Sequence, residues 1–247
     1  MKVLYEDNHI IIVNKESGEI VQGDKTGDTP LSDTVKAYLK EKYQKPGAVF
    51  LGVVHRLDRP VSGVVVFART SKALTRLNKM FQQGEVHKTY WAIVGPTPNP
   101  SPREGGTHAL QAPPPFGEGW GEAIHWLTRN EQQNKSYAYD HEVPHSKKAI
   151  LRYRPIARGD RYNLLEVQLL TGRHHQIRCQ LSAIGCPIKG DLKYGARRSN
   201  PDGSISLHAR RVEFIHPVSK EAICVEAPVP DEPLWQALMH ETGSQEG

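Results

Sequence analysis

Apolar residues recur along this chain at two spacings. Val3 to Tyr5 and His9 to Val13 are short β-rich runs on either side of Glu6, Asp7 and Asn8, a polar triplet suited to a hairpin turn. Thr29 and Pro30 then read as N-cap and first helical position, and LSDTVKAYLKEKY places Leu31, Val35, Tyr38 and Leu39 on one face. A second helix is expected from Ser71, with Leu74, Leu77, Asn78 and Phe81 three or four apart and Gly84 as its C-cap. His87 to Val94 reads as a strand, as do Ala149 to Ile156, Asn163 to Leu170, Leu207 to Ile215 and Ala222 to Glu226. Helical spacing returns near Gly172 and again from Leu234 to Met239. Several neighbouring strands are joined too briefly for helical crossovers. The pattern therefore predicts an α+β fold with a mixed, largely antiparallel sheet and flanking helices.

From Thr97 to about Gly121 the periodicity stops, and NPSPREGGTHALQAPPPFGEGWGE is dense in Pro, Gly and Ser. A stretch with so little to bury does not offset its ordering entropy, so it reads as an exposed insertion in one domain spanning residues 1–247. No apolar run reaches the roughly 18 residues of a membrane span, and MKVLYEDNHI lacks the shape of a signal peptide. A cytoplasmic protein is expected. Cys179, Cys186 and Cys224 form no CxxC pair, which argues against a disulfide framework and a structural zinc site. The net charge of +5 favours a polyanionic partner without deciding for one.

The densest chemistry lies in VVHRLDRPVSGVVVFART, where an apolar strand runs into His55, Arg56, Leu57 and Asp58, turns at Pro60 and Gly63, and becomes apolar again. A carboxylate on a loop between buried strands is well placed to face a cleft, although Asp and Pro are also ordinary turn residues. His141-Glu142-Val143-Pro144-His145 matches the zinc-protease pattern HExxH. That pattern works only on a helix, and Pro144 forbids one, so no metal is expected.

His55-Arg56-Leu57-Asp58 followed by Ser62-Gly63 resembles the signature loop of the RluA-type RNA pseudouridine synthases. Three more segments resemble that family in the same order: VLYEDNHIIIVNKESG, HKTYWAIV and LLTGRHHQIRCQLSAIGCPIKGDLKYG. The resemblance implies a sheet with a central RNA-binding cleft and isomerisation of uridine to pseudouridine in structured RNA, either tRNA or ribosomal RNA, without metal or nucleotide cofactor. It makes Asp58 the nucleophile, attacking C1′ or stabilising positive character there, with Arg178 as the cation that holds the carboxylate ionised. Tyr90 becomes the ring on which the target uracil stacks, and Arg56 the group that enters the RNA helix as the base leaves.

His55 and Gln176 fall within the matching motifs and are expected on the RNA-binding side, with an orienting role for His55 favoured over direct contact. Arg173 is expected at the cleft because Thr171 and Gly172 form a turn that opens the helix there, and Lys189 is expected to line the approach to phosphate. Tyr194, Arg197 and Arg198 are candidates for the approach to phosphate. The sequence departs from the family where Glu16 follows Lys15 in place of proline and where Val61 stands in place of threonine. No S4-like RNA-binding domain precedes the match, so recognition is expected to rest on the catalytic domain, acting as a monomer with no obligate protein partner. A non-catalytic RNA-binding protein on the same fold, or a metal-dependent hydrolase, is the competing expectation.

Overall fold

The computed structural model describes residues 1–95 and 119–243, so most of the 97–121 insertion lies outside the described residues. The chain divides into two compact units. The first comprises Met1–Lys88 and His208–Val229, the second Thr89–Leu207 and Pro230–Gly247.

In the first unit, β1 (Lys2–Glu6) and β2 (Ile10–Lys15) form an antiparallel hairpin. The Asp7 carboxylate closes its turn by accepting the amides of His9 and Ile10 at 2.7 and 2.8 Å. Every residue of β2 is buried, as expected of a strand covered on both faces. β2 pairs antiparallel with β4 (Ser62–Ala68), and the two-residue β3 (Gly52–Val53) lies on the same strand. β10 (Leu207–Ile215) runs parallel to β4 and antiparallel to β11 (Ala222–Glu226).

Two helices pack in this unit. α1 (Leu31–Lys42) buries Leu31, Val35 and Leu39, the stripe its spacing predicts. Its N-cap is Pro30, not Thr29, because Pro30 remains extended at ψ 153°. α2 (Ser71–Gln83) is capped by the Thr70 side chain and ends on Gly84 at φ 75°. Ala73 and Leu77 point into a core with Ile10, Ile12, Val64, Val66, Val212 and Phe214, whereas Asn78 faces outward.

The second unit carries β5 (His87–Val94) from Thr89 onward, β6 (Gly121–Asn130), β7 (Lys135–Tyr139), β8 (Lys147–Arg158) and β9 (Asn163–Leu169). They pair antiparallel in the order β5-β9-β8-β6-β7. α3 (Gln176–Ala183) packs against β6 and β7, and α4 (Pro233–Gly243) against β8. The hairpin of β6 and β7 escapes the sequence pattern. Ile124, Tyr137 and Tyr139 are exposed at 39%, 38% and 37%, so the apolar-in, polar-out alternation is blurred there.

α3 begins at Gln176 and not near Gly172. The intervening residues form a turn, and His175 adopts a left-handed conformation at φ 51° before the helix starts. The His141–His145 segment is also non-helical, with His145 at φ 63° and the Val143 carbonyl accepting the Ser146 amide at 3.0 Å. The one-face arrangement that HExxH requires is not formed. Among the described residues, no helix is long and apolar enough to cross a membrane.

Candidate active site

Asp58 lies in the segment between β3 and β4. Its carbonyl accepts the Val61 amide at 3.0 Å, which closes a tight turn over Arg59 and Pro60. Leu57 points inward at 8% exposure, Asp58 is half-buried and Arg56 is exposed, so charge and anchor alternate along the segment.

Lys15 braces this turn from beneath. It is fully buried at 0% exposure, and its ammonium donates to the carbonyls of Val61 at 2.6 Å, Glu16 at 3.0 Å and Arg59 at 3.1 Å. All three ammonium hydrogens thus have acceptors, two of them within the turn that carries Asp58. Burial pushes the Lys15 ammonium down to about 8, because neutral carbonyls and nearby carboxylates only partly replace lost water. Gly18 adds a further tie by donating its amide to the Arg59 carbonyl at 2.8 Å. The glutamate after Lys15, where proline is usual, does not prevent this arrangement. The Arg59 side chain leaves the turn for Asp28, at 2.7 Å, and Thr26.

His55 acts inside the protein. β3 is too short to cover the Val66 amide, and His55 Nε2 accepts it at 2.9 Å in place of a strand carbonyl. The ring stacks on Phe81 with centroids 4.9 Å apart. Burial, and then the Lys88 charge, push its imidazole down to about 3, which keeps Nε2 available as an acceptor. His55 is thereby tied to the backbone of β4 and to the α2 side chain Phe81.

In the second unit, Arg178 is on α3 and only 6% exposed. Its Nε and Nη2 donate to the two Asp191 carboxylate oxygens at 2.7 and 2.9 Å, a bidentate pair with Asp191 itself 1% exposed. The guanidinium also lies 5.1 Å from the centre of the Tyr194 ring. Tyr194 is 5% exposed, and its hydroxyl accepts the Ser136 amide at 2.8 Å and meets His175 Nδ1 at 3.0 Å. The expectation that Tyr194 approaches phosphate is thereby corrected: its ring forms part of the buried platform under Arg178.

The remaining candidates differ in their exposure. Tyr90 sits on β5 at 7% exposure, opposite Val167 of β9. Gln176 is 3% exposed, and its amide accepts from Thr171 and the Arg173 backbone while donating to the Ile150 carbonyl. It staples the turn before α3 to β8. Lys189 donates to the side chain of Asn200. Arg173 is exposed and braces its Nε on the Lys148 carbonyl at 3.1 Å.

Asp191 and the bracing role of Lys15 were not read from the sequence. The Gly190-Asp191 step in PIKGDLKYG was a signal for the first, since an aspartate thirteen residues beyond a helical arginine is a possible ion-pair partner.

Residues 9–183 match the sequence model of the RNA pseudouridylate synthases. The chain belongs to that family. It is an RNA pseudouridine synthase of the RluA type.

One relative is the ribosomal large subunit pseudouridine synthase D of Xanthomonas campestris, 32% identical over 246 residues, covering 94% of this chain and 67% of the relative. Another is the tRNA pseudouridine synthase C of Vibrio cholerae, 28% identical, covering 100% of this chain and 97% of the relative. The fold is shared with a solved structure, human RNA pseudouridylate synthase domain containing 4, at TM-score 0.70 and 21% identity, over 98% of this chain and 93% of that one. In this synthase, the matched region includes both the Asp58 turn and the Arg178 helix.

Proposed function

We propose that this synthase acts on uridines of tRNA or ribosomal RNA, with the Asp58 carboxylate as the group that engages the ribose. The reaction breaks the bond from C1′ to N1, turns the detached uracil and joins C1′ to C5. The C5 hydrogen leaves as a proton and N1 gains one, so atoms balance without an added reagent. The carboxylate attacks C1′ or stabilises positive character there. Tyr90 offers a ring face to the uracil, and its phenol is a candidate for assisting loss of the C5 proton. Arg178 supplies positive charge to the reaction, and Arg56 supports the RNA stack from which the base is drawn.

The observation that carries this reading is the bracing of the Asp58 turn. A catalytic carboxylate must be held in place before its substrate arrives, and here a buried ammonium is used to fix the backbone on both sides of Pro60. A solvated turn aspartate needs no such support. Residues 1–247 are read as one catalytic domain, working in the cytoplasm as a monomer, with structured RNA as its partner.

The test uses tRNA and ribosomal RNA transcripts tritiated at uridine C5. Release of tritium from one of them, with loss of release when the other is supplied, identifies the substrate. No release from either, together with tight RNA binding, would favour an RNA-binding protein that works by occupancy.

A further inference from the structure

β4 begins at Ser62, four residues beyond Asp58, so whatever fixes the start of that strand also fixes the turn. Its parallel pairing with β10 is confined to two residue pairs, His208 with Ser62 and Ala209 with Gly63. So short a ladder holds register weakly, and a one-residue slip would turn every side chain to the other face. Two features oppose a slip. Gly63 is at φ 115°, and a Cβ there would come within 2.3 Å of the Ala209 carbonyl oxygen, so only glycine allows this approach. Ser62 Oγ lies 2.8 Å from His208 Nδ1, a buried side-chain pair 146 residues apart in sequence.

We propose that His208 is a positioning residue for catalysis: its Nδ1 accepts the Ser62 hydroxyl and so locks the β4–β10 register from which the Asp58 turn projects. The residues are 1% and 7% exposed, so water does not compete for the bond. Burial pushes the imidazole down to about 4, which leaves one ring proton at neutral pH. With that proton on Nε2, Nδ1 faces the Ser62 hydroxyl 2.8 Å away as the acceptor, and the hydroxyl supplies the hydrogen. An apolar pair would pack as well but would not select one register, whereas a hydroxyl and an acceptor meet in only one. This inference rests on the reading of Asp58 as the group that engages the ribose.

The test compares Ser62→Ala, His208→Leu, His208→Asn and the Ser62→Ala/His208→Leu double variant, in unfolding temperature, RNA affinity and kcat for tritium release. Ser62→Ala and His208→Leu are each expected to lower kcat about tenfold to a hundredfold while RNA affinity stays within about twofold. The double variant is expected to be no worse than the weaker single. His208→Asn should recover most of kcat, because its Oδ1 can take the place of Nδ1.

Wild-type kcat in folded Ser62→Ala, additive losses in the double variant, or His208→Asn no better than a folded His208→Leu would each overturn the proposal. If His208→Leu does not fold, Ser62→Ala and His208→Asn decide alone: both at wild-type kcat, or both equally impaired, count against it. Asp58→Asn is assayed in parallel. Full activity there overturns the reading of Asp58, whereas an inactive Asp58→Asn beside a fully active Ser62→Ala overturns only the role of His208.

Discussion

The Asp58 turn and the Arg178 helix each hold a buried cation, and they satisfy it in opposite ways. Lys15 is met by three neutral backbone carbonyls, so its charge is retained at a cost and its ammonium titrates near 8. Arg178 is met by a carboxylate in bidentate geometry, and a guanidinium stays charged throughout the accessible pH range. One cation shapes a backbone, while the other needs a partner to keep a side chain in place. A loop can therefore be preorganised through its backbone carbonyls, whereas the buried arginine on a short helix is held through its side chain by a distant aspartate.

The comparison is broken most forcefully at Asp191. Asp191→Leu strips a carboxylate from a buried guanidinium and is expected to lower unfolding stability by about 3–5 kcal/mol. Pairing it with Arg178→Met should restore much of that stability, since two apolar groups replace the ion pair, yet leave tritium release abolished. Denaturant unfolding and the activity assay on the same samples check both halves. Recovery of activity together with stability would show that Arg178 serves the fold alone.

Tyr90 gives the next largest effect. Tyr90→Leu removes the ring face and should cost about 1–3 kcal/mol in transition-state stabilisation, read from kcat/KM. Tyr90→Phe keeps the face. It should retain RNA affinity, and any loss confined to its kcat reports the phenol's part in removing the C5 proton.

Lys15 gives the smallest and the most diagnostic effect, because it responds to pH where Arg178 does not. Its folded pKa is below the ordinary lysine value, so unfolded chains bind the extra proton between about 8 and 10.5. The Lys15 contribution to stability therefore rises across that window, as the cost of burying the charge is relieved. Activity should move the other way, falling less than about tenfold as the turn loses a donor hydrogen and its charge. A kcat profile with an alkaline limb near pH 8, absent in Lys15→Met, is the expected result. A limb that persists in Lys15→Met assigns it to another group.

Local pattern was enough for the central strands and for α1 and α2, because Ile10 to Val13, Leu31, Val35, Leu39 and Leu77 repeat at the spacing their elements demand. It also isolated His55 to Asp58 as a charged insertion between apolar strands. It did not show who holds whom. Ser62 and His208 are 146 residues apart, Lys15 reaches a carbonyl 46 residues away, and nothing in local periodicity encodes either bond. Gln176 and Lys189 illustrate the same limit: their partners, the Ile150 carbonyl and Asn200, lie outside anything that local spacing encodes.

The central claim, that the braced carboxylate at position 58 does the chemistry, is tested most directly by Asp58→Asn, a change of one atom in the side chain. Tritium release and RNA affinity should be measured on the same preparation. The account predicts release reduced by at least about a thousandfold, a rise of about 4 kcal/mol in the barrier, with RNA affinity essentially unchanged. Release at the wild-type rate from the asparagine variant would contradict it.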